Sequence, residues 1–240
     1  MMELRGRTAL VTGASRGIGR ALARALAREG ATLVLTARTV GDLERTATLC
    51  DEDGAEGTEV RALDLGDGRT IDDLCAELLA EHGAVDVLVN NAGTLVQGHA
   101  LDGDPDVWEQ ALRLNVAAPM RLTRRLAPAM KERERGTIIN LGSVAAIEGM
   151  TNAGAYAATK HALRGWSLSS YQQLRDAGIK VVLLNPAFVD TAMTAHVTGA
   201  DRSRMLSVDD IAEAAMLAIR TSPACCPEEI TLRLTKRPLG

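Results

Sequence analysis

Residues 8–19 read T-A-L-V-T-G-A-S-R-G-I-G. Thr8 to Thr12 is a short apolar run ended by Gly13, which suits a buried strand. Beyond the glycine-rich turn, Ile18, Leu22, Ala25 and Leu26 share one helical face, and Arg16, Arg20, Arg24 and Arg28 recur at i+4 steps on another. Gly30 ends that helix. A glycine turn between a strand and a helix offers free backbone N–H groups and the positive helix end to a phosphate. The spacing is T-G-x-x-x-G-x-G rather than the commoner G-x-G-x-x-G. Taken alone, the glycines also suit a tight turn with no ligand.

The alternation continues along the chain. Residues 31–37 form a second strand, and Thr39 with Asp42 has the pattern of a capping box. Residues 58–63 are a third strand; residues 70–81 are a helix carrying Ile71, Leu74, Leu78 and Leu79. A fourth strand covers residues 85–90. Asp104-Pro105 joins an N-cap to a proline at the first helical position. It opens a long helix bearing Trp108, Leu112, Asn115 and Leu122, in which Pro119 is expected to cause a bend. Residues 136–141, 179–184 and 230–234 read as further strands. Between them lie a helix over residues 153–176 and another from Ser207, paired with Asp210, to Ile219. Short apolar strands alternating with amphipathic helices predict an α/β fold, a parallel sheet covered on both faces. No repeat or linker interrupts it, so residues 1–240 are expected to form one domain.

Composition narrows the function. A formal net charge of −4 with 24% charged residues predicts neither nucleic acid nor an anionic membrane as partner. Aromatic residues are 2% of the chain, so the core must come from Ala, Leu, Val and Ile. No apolar segment approaches the ~18 residues of a bilayer-spanning helix. Residues 1–7 lead into the first strand without an apolar leader, and a cytoplasmic location is expected. Cys50, Cys75, Cys225 and Cys226 form no C-x-x-C, and His82, His99, His161 and His196 lack ligand spacing. No metal site is expected.

Residues 143–160 read S-V-A-A-I-E-G-M-T-N-A-G-A-Y-A-A-T-K. Tyr156 and Lys160 are four apart, on one face of a helix. A phenol titrating near ~10 is a poor base at neutral pH. An ammonium beside it favours the phenolate and brings the hydroxyl into range for proton transfer. A bare Y-x-x-x-K is equally a surface tyrosine above a solvated lysine.

The pair does not stand alone. T-G-A-S-R-G-I-G (residues 12–19), N-N-A-G (90–93), L-N-V (114–116), Ser143 and Y-A-A-T-K (156–160) occur in the order and spacing of the short-chain dehydrogenase/reductase family. The chain resembles that family over about residues 6 to 234. The resemblance implies a single-domain doubly wound Rossmann fold, with about seven strands in the order 3-2-1-4-5-6-7. It implies hydride transfer between a nicotinamide cofactor and a carbonyl or alcohol substrate. Tyr156 would be the general acid of reduction and Lys160 would lower its pKa and hold the nicotinamide ribose. Ser143 would donate to the substrate oxygen, and Asn115 would hold a water linking Lys160 to solvent. Gly13, Ser15, Arg16, Gly17, Ile18, Gly19, Arg38, Asp64, Leu65, Asn91, Ala92 and Gly93 would line the cofactor, with Pro186, Val189 and Thr191 at the nicotinamide end.

Ala187 replaces the glycine usual after Pro186 and is expected to take an ordinary φ. A short lid spans about residues 191–207, with Met193, His196 and Met205 as candidate substrate contacts; His196 also suits a solvent-facing loop. Position 37, where an NAD-selecting acid would stand, is alanine. Arg38 and Arg16 could reach a 2′-phosphate, so NADP(H) is expected over NAD(H), although Arg16 also begins the exposed arginine row. Small residues on the Tyr156 helix (Ala153, Gly154, Ala157, Ala158, Ala162, Gly165) predict a homodimer or homotetramer, with Trp108, Leu112 and Trp166 supplying apolar area. A 3-oxoacyl-carrier-protein reductase, whose acidic partner would need a basic surface, is the alternative enzyme; Arg121, Arg124 and Arg125 could form one, and they equally suit a solvated helix face. A silent cofactor sensor or scaffold is the alternative from another class, and the intact Ser143, Asn115, Tyr156 and Lys160 argue against it.

Overall fold

The computed structural model describes residues 4–195 and 197–238. Seven strands form one parallel sheet in the order β3-β2-β1-β4-β5-β6-β7. They are β1 (Thr8–Thr12), β2 (Thr32–Ala37), β3 (Gly57–Ala62), β4 (Val87–Asn90), β5 (Gly136–Leu141), β6 (Ile179–Pro186) and β7 (Glu229–Leu232). Register carries the core across the sheet. Val34, Leu10, Leu88, Ile138 and Val181 are paired neighbours in one row and face one apolar layer. One residue on, Leu35, Val11, Val89, Ile139 and Val182 form a second row facing the opposite layer. With both sides of the pleat dry, these strands read as unbroken apolar runs instead of alternating ones.

Helices α1 (Gly17–Arg28), α2 (Val40–Asp53) and α7 (Val208–Arg220) close one layer. Helices α3 (Gly68–His82) and α5 (Ala118–Glu132), with the C-terminal end of α6 (Gly154–Leu174), close the other. Two of the three cap signals hold. The Ser207 hydroxyl accepts from the Asp210 N–H at 3.1 Å while the Asp210 carboxylate accepts from the Ser207 N–H at 2.7 Å. Asp104 accepts from the Asp106 N–H at 2.9 Å ahead of Pro105. The expected box at Thr39 does not form; its side chain makes no capping bond.

The expected long helix around Asn115 is three pieces. α4 (Pro105–Leu112) runs into a π-turn over Arg113–Ala117, and α5 follows. The irregularity therefore precedes Pro119, where the bend was expected. Pro119 sits in the first turn of α5, where a missing N–H costs least. Ahead of it the ladder widens, and the Ala118 N–H closes on the Arg113 carbonyl. No helix among the described residues is long and apolar enough to cross a membrane. All four cysteines are free thiols. Burial pushes Cys50 and Cys75 up to about 12, so neither is a thiolate at neutral pH.

Candidate active site

Thr12, the last residue of β1, ties the glycine turn to the end of β4. Its hydroxyl donates to the Val89 carbonyl at 3.0 Å and accepts from the Asn91 and Ala92 N–H groups at 2.9 and 3.0 Å. The Asn91 amide donates back to the Thr12 and Gly13 carbonyls at 2.8 and 3.1 Å. Two glycines make this approach possible. Gly13 has φ +65°, and a Cβ there would stand 2.8 Å from the Asn91 amide nitrogen. At Gly19 a Cβ would press into the Gly13 carbonyl and stand 2.5 Å from the same nitrogen. Gly19→Ala is accordingly expected to destabilise the fold by about 1–3 kcal/mol through overpacking of backbone that has little room to yield. A urea titration of the two proteins checks it.

The arginine row of α1 is not simply solvated. Arg20 donates to the Thr46 hydroxyl at 3.0 Å and to the Ser15 carbonyl, tying the turn to α2. Arg24 grips Asp53 at 2.6 and 3.2 Å, and Arg28 lies 3.6 Å from the same carboxylate. Arg16 alone is left over. It lines two adjoining cavities of about 740 and 720 Å³ together with Arg38 and Asp64. Neither Arg16 nor Arg38 has an ion-pair partner among the described residues. The inner cavity is walled by Gly13, Ser15, Gly17, Ile18, Gly19, Leu65, Asn91, Ala92, Gly93 and Thr191. Most of the expected cofactor residues thus meet on one groove. Pro186 and Val189 are buried and do not reach its wall.

Ser143, Tyr156 and Lys160 gather at the C-terminal end of β5. The Lys160 ammonium donates to the Leu141 carbonyl at 2.6 Å and lies 5.7 Å from the centroid of the Tyr156 ring. Tyr156 is buried among Ala145, Ala153 and Ala157, with Leu95 and Met150 against them. Burial holds its phenol above the ordinary value, while the Ser143 hydroxyl pulls the other way. Burial also pushes Lys160 down to about 8. The net shift of Tyr156 is thus upward, opposite in direction to the lowering expected from Lys160. In the protein alone desolvation dominates, and the ammonium is engaged by a carbonyl.

The Asn115 side chain is engaged within the protein. Its carboxamide accepts from the Thr94 N–H at 2.8 Å and donates to the Thr94 carbonyl at 2.9 Å and the Thr159 hydroxyl at 3.1 Å. The side chain therefore ties the loop after Gly93 to α6. Pro119, four residues on, has no N–H to offer the Asn115 backbone carbonyl.

Ala187 takes an ordinary φ, since Glu134 is the one described non-glycine residue with positive φ. Its N–H donates to the Leu232 carbonyl at 2.9 Å. Val189 bridges to Leu206 at the base of the lid. Met193 lines both cavities and Met205 neither; His196 lies outside the described residues. Sequence reading missed Gln110 and Arg113 on the outer cavity wall, since solvated helix residues carry no motif. It also missed the Thr12 knot, although the threonine of T-G was in view. Glu59, Glu81 and His82 cluster closely enough to suggest a metal, but Arg61 already spans both carboxylates at 2.8 and 2.7 Å.

Comparison with known proteins agrees with this architecture. The family model for short chain dehydrogenases matches residues 7–202. Dehydrogenase/reductase SDR family member 7B of Rattus norvegicus is 34% identical over 86% of this chain, which spans 65% of that relative's length. An uncharacterized oxidoreductase of Staphylococcus aureus (strain USA300) is 31% identical, with 97% of this chain and 99% of that protein covered. A crystal structure of a metagenomic short-chain oxidoreductase in complex with NADP superposes with a TM-score of 0.85 at 35% identity, covering 98% of this chain and 100% of the other. With a family match over most of its length, and the strand order and glycine turn in place, the chain belongs to the short-chain dehydrogenase family.

Proposed function

We propose that the protein is an NADP(H)-dependent oxidoreductase that interconverts a ketone or aldehyde and an alcohol. The observation that carries this reading is the convergence of Ser143, Tyr156 and Lys160 on one strand end, in a chain with a glycine-walled groove. The groove suits a dinucleotide. Helix α1 begins without a side-chain cap and without an acid in its first turn, so its N-terminal N–H groups remain for a diphosphate. When bound, the nicotinamide cofactor supplies or accepts the hydride. Arg16 and Arg38 would hold a 2′-phosphate, and Lys160 the nicotinamide ribose.

The proton belongs to this chain's own residues. With its phenol held above the ordinary value, Tyr156 is protonated at neutral pH and can donate to a carbonyl oxygen. Ser143 would hold that oxygen, and Lys160 below about 8 adds a fixed positive charge. A phenol so held is in the protonated form at neutral pH, the form that reduction of a carbonyl requires.

The 3-oxoacyl-carrier-protein reading has less support. Arg121 and Arg125 both bind Asp72 at 2.8 Å, so one of the three positive charges of the patch meant for an acidic partner is offset within the chain. Loss of NADPH absorbance at 340 nm with a panel of ketones, aldehydes and one 3-oxoacyl thioester tests both. Turnover of simple carbonyls supports the proposal, turnover of the thioester alone favours the alternative, and no turnover of any refutes both enzyme readings.

A homo-oligomer is part of the proposal. Ala158, Ala162 and Gly165 present an exposed small-residue stripe on α6, and Val107, Leu112 and Met120 are exposed on the neighbouring helices. Ala153 and Ala157, counted on that face from sequence, are instead spent packing around Tyr156. Light scattering at micromolar concentration should give a multiple of 25.4 kDa; the monomer mass would overturn it.

A further inference from the structure

We propose that Arg164, Glu229 and Asn185 form a strut that positions Ser143 against Tyr156. The inference rests on the reaction proposed above and adds three positioning residues to it. The strut starts on α6. Arg164 follows Tyr156 by eight residues and Lys160 by four, so the three lie along one helical stripe. Its guanidinium binds Glu229 on β7 through two parallel bonds of 2.8 and 2.9 Å. One Glu229 oxygen also accepts from the Asn185 amide at 2.7 Å, and the Asn185 carbonyl oxygen accepts from the Ser143 backbone N–H at 3.2 Å.

The asparagine is suited to this position by its chemistry. A carboxamide offers an acceptor to an N–H and a donor to a carboxylate from two separate atoms of one short side chain. Asn185 is fully buried, and an apolar replacement would remove one donor from Glu229 and the acceptor of the Ser143 N–H. Gly142 makes room for it: a Cβ there would fall on the Asn185 oxygen, while the Gly142 N–H is held by the Leu184 carbonyl at 2.7 Å. The Lys160 bond to Leu141 is a second strut from the same stripe, two residues earlier on the same chain segment. Together they fix the backbone on both sides of Gly142, from which the Ser143 side chain projects. Arg164 and Asn185 hold the Glu229 carboxyl below its ordinary range, so the strut stays ionised at working pH.

The chain has two tyrosines, and a Tyr171→Phe background leaves Tyr156 as the only phenol. Its titration can then be followed by carbon NMR of ring-labelled tyrosine, without cofactor or substrate. Ser143→Ala should raise the midpoint, because the Ser143 hydroxyl draws it down. Asn185→Ala should raise it too, and add nothing in the Ser143→Ala protein. In turnover, Asn185→Ala should cut kcat by about 10- to 100-fold, the effect of a misplaced reacting group. On top of Ser143→Ala it should change kcat by less than about twofold. Should Asn185→Ala fail to fold, Glu229→Ala cuts the strut on an edge strand. It should shift the midpoint in the same direction, and Glu229→Gln, which keeps an acceptor for Asn185, should restore it. A folded Asn185→Ala or Glu229→Ala protein that titrates as wild type overturns the strut, as does a shift that adds fully to that of Ser143→Ala. Absence of any carbonyl turnover by the wild type refutes the proposed reaction instead, while the titration still decides the strut.

Discussion

Tyr156→Phe is expected to lower kcat by about 10² or more while leaving NADPH affinity nearly unchanged, the usual worth of a general acid. The substitution keeps the buried ring against Ala145, Ala153 and Ala157 and removes only the hydroxyl. It leaves the Lys160 bond to Leu141 untouched. Lys160→Ala should damage both kcat and cofactor binding, since its ammonium is assigned to the proton and to the ribose. A Tyr156→Phe enzyme that keeps more than about a tenth of wild-type turnover, with chemistry limiting, would exclude the proton-donor role. The pH dependence has a defined sign. Lys160 loses its charge as pH rises through about 8, so reduction should decline above that value. Stability of the protein alone should move the other way. A lysine held below its ordinary pKa carries a buried charge at neutral pH, and that penalty is relieved between about 8 and ~10.4. Thermal melts across this range should therefore rise as activity falls.

Cofactor choice is the second large effect. Each charge-assisted bond to a 2′-phosphate is worth ~1.5–3 kcal/mol, or about 10- to 100-fold per arginine. Arg16 and Arg38 share the groove, and the rest of the arginine row is engaged by α2 and the glycine turn. Arg38→Ala should therefore raise KM for NADPH by about tenfold or more and leave that for NADH nearly unchanged. Ala37→Asp, at the half-buried end of β2, should reverse the preference by repelling the phosphate and offering the ribose an acceptor. Equal kcat/KM for the two cofactors in the wild type would refute this assignment.

The fold was legible because each signal was local. Strand runs such as residues 8–12 and 136–141 are buried on both faces, and the apolar rows that cross the sheet left no polar alternation to mislead. The glycine turn was legible because backbone crowding at Gly13 and Gly19 demands glycine there. What depended on distant partners was not. The use of Asn115 turns on Thr94 and Thr159, and the Tyr156 environment on burial by Leu95 and Met150. Neither can be read from four-residue spacing. Arg164, Asn185 and Glu229 belong to three separate elements, and only the pairing of β6 with β7 brings the last two together. The π-turn escaped because proline marks where a helix tolerates disruption, whereas the turn itself lies ahead of it.

The most direct test is the fate of the label when a carbonyl compound from the panel is reduced with NADPH deuterated at the nicotinamide C4 position that donates. Deuterium on the carbinol carbon of the product alcohol, abolished in step with turnover by Tyr156→Phe, is the expected result. An alcohol formed without the label, or no alcohol from any carbonyl despite bound NADPH, would contradict the proposed reaction.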